Sequence, residues 1–292
     1  HAYMNIYPYY LYSLYGISSY NLCAAAQPVW NTYYYLKEAL KTQKPKLIIL
    51  ESLEVMLNKD YYNLVGTIYG FRFSKYFIEN IKISYLKKQW LDFINPFYQY
   101  HNRYSSLTFE DFSINKGKES YKYFKGNLIL NKVKVNDVPI EYVTTNISNL
   151  YWKSEKYYRM IIELTQNNRI PLLIIKSPYN VYHYEKRIFS FNDKNYIQSQ
   201  YNAIMKIANE YCVPFINFNF IYNEYNLDFQ TDFADLAGHL NYKGAAKFTS
   251  YLGKYLKENY DLPDRRGDPK YYSWEINSKY NNKAIYNFEL KQ

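Results

Sequence analysis

A chain of 292 residues, 48% of them hydrophobic, can bury a substantial core as one large domain, and it holds no apolar run long enough to span a bilayer. The formal charge is +10, from 36 Lys and Arg against 26 Asp and Glu, which favours anionic partners. The positive residues are scattered, and no zinc-finger spacing, arginine-rich arm or RNP-like strand occurs, so no nucleic acid is expected as partner.

Forty tyrosines and seventeen phenylalanines accompany abundant Asn, Lys and Ile, the signature of an AT-rich coding sequence. Tyrosine-lined carbohydrate clefts are the functional reading of the same composition. Cys23 and Cys212 are too few for a disulfide framework, and two buried thiols are the plainer reading beside a single bridge. The chain opens on His1 with no signal or transit peptide and no buried strand ahead of it, so an N-terminal truncation within the first strand is expected.

In chain order, helical spacing over Val29 to Thr42 leads past Pro45 into an apolar run at Lys46 to Glu51, a helix followed by a buried strand. From about 59 to 145 this rhythm fails. Phe73 to Phe93 is helical in places, and Lys132-Val-Lys-Val135 alternates like a strand or hairpin arm. The stretch reads as an insertion or cap. Asn149 to Asn168 predicts a helix and Ile170 to Ile175 a strand; Ile197 to Tyr211 and Val213 to Asn217 repeat the unit. Gly244 to Tyr260 predicts the terminal helix, and the tail beyond Asp264 predicts a loop and C-terminal wrap over 264–292. Three helix-then-strand units with short connections predict an α/β fold, a doubly wound parallel sheet with helices on both faces, as one domain across 1–292.

The segment richest in chemistry is Thr231-Asp-Phe-Ala-Asp-Leu-Ala-Gly-His-Leu-Asn-Tyr-Lys-Gly-Ala-Ala-Lys247, between the last predicted strand and the helix after it. In an open α/β sheet, ligands bind at the carboxyl ends of the strands, where this loop belongs. An Asp a few residues before a His on one tight loop can orient the imidazole and stabilise its charged form, so that it serves as general base to a serine. The plainer alternative is a His239 that caps the helix and a solvated Asp235. No P-loop, dinucleotide fingerprint, His-Glu-x-x-His or EF-hand pattern occurs. His1, His101, His183 and His239 lie far apart in sequence, so no metal-ligand spacing is present and neither metal nor cofactor is expected. His183 reads as a surface or packing residue.

With its Leu240-Asn-x-x-Gly-Ala continuation, the Asp235–His239 block resembles the closing Asp-x-x-His motif of SGNH/GDSL hydrolases. It is most similar to the branch containing alginate and peptidoglycan O-acetylation proteins and the teichoic-acid D-alanylation protein. His1-Ala-Tyr-Met-Asn-Ile-Tyr-Pro8 and Tyr15-Gly-Ile-Ser-Ser-Tyr-Asn-Leu22 resemble the segment directly downstream of that family's nucleophilic serine.

The resemblance implies a serine just upstream of His1, His239 as base, and Asp235 or Asp232 as orienting carboxylate. It implies oxyanion or substrate contacts from His1, Asn21, Ala26, Gln27, His101 and Arg103. The implied activity is that of a serine esterase or O-acyltransferase on acetyl groups of a cell-surface glycan. The implied place is the bacterial cell envelope outside the cytoplasm, with a membrane anchor upstream and a membrane-bound O-acyltransferase as partner. The alternative is a non-catalytic module of the same fold that binds an anionic or sugar polymer. Departures from the family pattern favour that alternative: Ala26 stands where a glycine is usual, and Glu51-Ser-Leu-Glu54 replaces the block that carries the oxyanion asparagine. Asp235 to His239 is also one residue longer than the common spacing, which keeps Asp232 in play. Ser18, Ser19 and Ser177 are weaker nucleophiles, the first two entering a predicted strand.

Overall fold

The computed structural model describes residues 2–24, 27–56, 74–84, 125–136, 144–178, 194–236 and 238–289. In chain order the helices and strands are α1 (Ala2–Asn5), α2 (Pro8–Tyr15), α3 (Val29–Ala39), β1 (Ile48–Glu51), α4 (Leu53–Met56), α5 (Lys75–Ser84), α6 (Trp152–Asn167), β2 (Leu172–Lys176), α7 (Lys194–Glu210), β3 (Phe215–Asn217), α8 (Tyr242–Asn259) and α9 (Tyr272–Glu289). Short 3-10 turns occupy Tyr222–Tyr225 and Pro269–Tyr271.

The three strands form one parallel sheet in the order β1-β2-β3, with Leu50 opposite Ile174 and Ile174 opposite Phe215. Parallel strands covered on both faces read as near-continuous apolar runs, and β2 is buried from end to end, with only its last residue, Lys176, charged. The pleat sends alternate side chains to opposite faces. Ile48, Leu50, Leu172, Ile174 and Phe215 join one core with α3, α6 and α7. Ile49, Leu173, Ile175 and Ile216 join a second core with α1, α2 and α8. The chain is therefore mixed α/β, with helices on both sides of a small open sheet. The strand order runs without the reversal that defines double winding, so among the described strands the coarser class is what is observed.

Both helix-to-strand turns end the same way. Ile170 N–H bonds Thr165 O and Arg169 N–H bonds Gln166 O, while Val213 N–H bonds Ala208 O and Cys212 N–H bonds Asn209 O. These are Schellman ends, which put one residue in the left-handed region. Here that residue is Arg169 (φ 55°) or Cys212 (φ 54°) rather than glycine. Cys212 is exposed at this turn and Cys23 is half-buried, with no disulfide between them, in place of the two buried thiols expected.

Several expectations change in the tertiary structure. The tail is a helix, α9, whose Trp274 ring lies 5.1 Å from Tyr9 and 5.4 Å from Tyr12 of α2; α8 is therefore not terminal. Tyr12 Oη also donates to Glu275 Oε1 at 3.0 Å. Gly16 closes α2 at φ 68°, and Ser18 and Ser19 beyond it lie in no strand. Lys132 to Val135 forms no regular strand either. Its backbone instead follows an irregular loop, with Lys134 N–H on Phe233 O and Asn136 N–H on Phe229 O, both at 2.8 Å. Most of the predicted insertion, 59–145, lies outside the described residues. Of the described parts, α5 packs on α3, with Ser84 Oγ donating to Asn31 Oδ1 at 2.8 Å. No helix among the described residues is long and apolar enough to cross a membrane.

Candidate functional site

The chain leaves β3 at Asn217 and returns to the sheet at α8 through a closed loop. Asn241 N–H bonds Asp232 O at 3.0 Å and Ala234 N–H bonds His239 O at 2.8 Å, with Phe233 paired antiparallel to Leu240. Phe233 and Leu240 are both buried in the second core, so the loop is pinned by its own apolar side chains. Its tip carries Asp235 and His239, with Gly238 at φ 79° making the turn between them.

At the tip, His239 Nδ1 lies 2.7 Å from Asp235 Oδ2, and His239 N–H donates to Asp235 Oδ1 at 3.2 Å. One carboxylate thus grips both the ring and the backbone of the histidine. The His239 side chain is 21% exposed and that of Asp235 44%, so the pair is open to solvent on one side. A carboxylate on Nδ1 holds the neutral ring in the tautomer whose proton sits on Nδ1 and leaves acid–base chemistry to Nε2.

Asp232 has a different task. Its carboxylate is 1% exposed and accepts from Lys247 Nζ at 2.7 Å, from Asp228 N–H at 2.8 Å and from Thr231 Oγ1 at 3.2 Å. Of the two carboxylates left open by sequence, Asp235 meets the histidine and Asp232 anchors the base of the loop to α8.

The Leu-Asn-x-x-Gly-Ala continuation has a structural explanation. Asn241 Oδ1 accepts from Lys243 N–H and Gly244 N–H, capping α8, so the cap is Asn241 and not His239. A Cβ on Gly244 would lie 2.3 Å from Asp232 O, so only glycine lets α8 approach this closely. Together they fix His239 two residues ahead of the helix cap.

The other site residues read from sequence fall elsewhere. Asn21 Nδ2 donates to Ile6 O at 2.8 Å, closing the end of α1. Gln27 Nε2 donates to Thr32 Oγ1 at 2.8 Å within the first turn of α3. His1, Ala26, His101, Arg103 and His183 lie outside the described residues. Ser177 is fully buried, and both its N–H and its hydroxyl go to the Glu51 carboxylate at the carboxyl ends of β2 and β1. Burial raises the Glu51 pKa above the ordinary carboxylate value, against the opposing pull of the Ser177 hydrogen bonds.

Two asparagines not singled out by sequence touch the loop. Asn5 Oδ1 accepts from Leu240 N–H at 3.1 Å, and Asn136 Nδ2 donates to Asp235 O at 3.0 Å. The only sequence signal was a polar residue inside an apolar stretch, Tyr3-Met-Asn-Ile-Tyr7, and another closing the alternation at Lys132 to Val135.

Comparison with known proteins yields no match: no family model, no curated protein and no solved structure matches this chain.

Proposed function

We propose that this chain is the His–Asp-bearing part of an SGNH-type serine esterase or O-acyltransferase acting on acyl groups, acetyl first among them, of a bacterial cell-surface polysaccharide. The observation that supports it is the 2.7 Å contact between His239 Nδ1 and Asp235 Oδ2 on the loop leading from β3 to α8. The nucleophile in this reading is a serine directly before His1. Its Oγ attacks the ester carbonyl while His239 Nε2 takes the hydroxyl proton, and that proton passes to the departing alcohol oxygen. Water or a glycan hydroxyl then attacks the acyl-enzyme, gives its proton to His239, and releases the serine. Asp235 orients the ring and balances the charge that develops on it. A membrane-bound O-acyltransferase is the partner this reading supplies, and the cell envelope outside the cytoplasm is its setting.

A specific observation favours a second reading, a non-catalytic module that binds an anionic or sugar polymer. The amides of Asn21 and Gln27, expected as oxyanion or substrate contacts, are turned onto Ile6 and Thr32 within the protein. An acyl transferase needs donors preorganised on the developing oxyanion.

The test is the chain extended upstream as its gene encodes it. Labelling of a serine next to His1 by a fluorophosphonate, lost in His239→Ala, is the expected result. An extended chain with no serine there, or labelling indifferent to His239→Ala, overturns the enzyme reading in favour of the binding module.

A further inference from the structure

Asp235 is nearly half exposed, and a half-exposed carboxylate on a loop tip keeps its place only if the backbone beneath it is held. Two buried asparagines hold it. Asn136 is 1% exposed, and its Nδ2 donates to Lys134 O at 2.8 Å and to Asp235 O at 3.0 Å. Both partners are carbonyl oxygens, so only the NH2 end of the amide can face them and its orientation is not in doubt. Its Oδ1 accepts nothing among the described residues, a desolvation cost carried while one N–H holds the loop at Asp235 and the other holds the amide against its own segment at Lys134. The backbone N–H of Asn136 adds a third tie, to Phe229 O at 2.8 Å. On the other side of the dyad, Asn5 is fully buried and its Oδ1 takes Leu240 N–H, the residue after His239. One amide therefore grips the residue that bears the carboxylate, and the other grips the residue next to the imidazole.

We propose that Asn136, with Asn5 opposite it, is a positioning residue that keeps the Asp235 carboxylate on Nδ1 of His239 and so sets the tautomer of the ring. The inference rests on the reading of Asp235 and His239 as an acid–base pair. It gives the 125–136 segment a role in the chemistry: the stretch reaches back from the insertion to hold the loop that carries Asp235 and His239.

The measurement is the His239 tautomer in the 15N-labelled full chain, read from long-range 1H–15N correlations at a pH where the ring is neutral. The chain has four histidines, and His239→Gln identifies the right signal. The native protein is expected to show the proton mainly on Nδ1. In Asn136→Ala the ratio is expected to move toward Nε2–H by about three- to tenfold, the effect of one ordinary hydrogen bond.

Asn202→Ala is the matched control. Asn202 Nδ2 bridges two carbonyls in the same way, Thr144 O and Asn146 O at 2.8 Å each, but from α7, which packs on the opposite face of the sheet. It is expected to leave the ratio native. If Asn136→Ala does not fold, Asn136→Ser keeps one donor and is expected to give an intermediate shift. A native ratio in a folded Asn136 variant, with the ratio shifted in Asp235→Ala, overturns the positioning role alone. A native ratio in Asp235→Ala overturns the dyad itself, and the proposed function with it.

Discussion

The Asp232 carboxylate is held by the Lys247 ammonium at 2.7 Å, although Asp232 lies only three residues before the aspartate that meets His239. The two acids share a loop and divide its work. Asp232 is buried and accepts three hydrogen bonds, so its loss leaves Asp228 N–H without its acceptor and Lys247 Nζ with Asn226 O but no carboxylate.

Asp232→Ala is therefore expected to destabilise the fold by about 1–3 kcal/mol, the lower half of the range reflecting a lysine that is 38% exposed and can turn to water. Asp235→Ala is expected to stay within about 0.5 kcal/mol of native stability, as a half-exposed side chain should. Urea unfolding of the two variants checks this, and the opposite ranking would assign the anchoring role to Asp235.

Gly244→Ala tests the close approach of α8 to the loop. The added methyl would meet a backbone oxygen, Asp232 O, which cannot swing aside like the end of a side chain. The usual gain of alanine over glycine in a helix, about 1 kcal/mol, is expected to be reversed into a loss of about 1–3 kcal/mol. A variant at least as stable as native in thermal unfolding would show that the loop has room to retreat.

The buried Glu51 carboxyl makes stability depend on pH. Burial raises its folded pKa above the ordinary 4.5, so over the interval between the two values the folded chain holds a proton that the unfolded chain has lost. The stability contributed by the neutral form is whole below pH 4.5 and declines as pH rises through the folded value. Glu51→Gln stays neutral at every pH and is expected to gain on the native protein as pH goes from about 4 to about 8. Denaturation curves across that range check it; a gap between the two proteins that does not change with pH would remove the burial argument.

Arg169 and Cys212 occupy left-handed positions at exposed helix ends. That conformation costs a side-chain-bearing residue about 1–2 kcal/mol, and glycine escapes it at an entropic cost of roughly half as much. Arg169→Gly and Cys212→Gly are each expected to raise the melting temperature by about 1–3 °C. A fall in either would mean that the replaced side chain makes a contact worth more than the strain.

What the sequence by itself determined is local. The helix over Val29 to Ala39, the apolar runs that became β1, β2 and β3, and the helices between them were legible because amphipathic spacing and continuous apolar runs act within a few residues of the chain. The Asp235–His239 contact was legible for the same reason, since a carboxylate and an imidazole four residues apart on a tight turn have little else to reach. The choice between Asp232 and Asp235 was not legible, because it depends on where α8 places Lys247. Nor was the partner of Lys132 to Val135, whose backbone pairs with residues about a hundred positions away on a loop too irregular to form a ladder. The same holds for α9, where Trp274 takes its place only because Tyr9 and Tyr12 of α2 offer a surface for it. Asn5 and Asn136 are the clearest case. An asparagine carries no pattern of its own, and the tertiary structure alone brings residues 5, 136, 235 and 240 to one loop, where burial makes each amide hydrogen bond count.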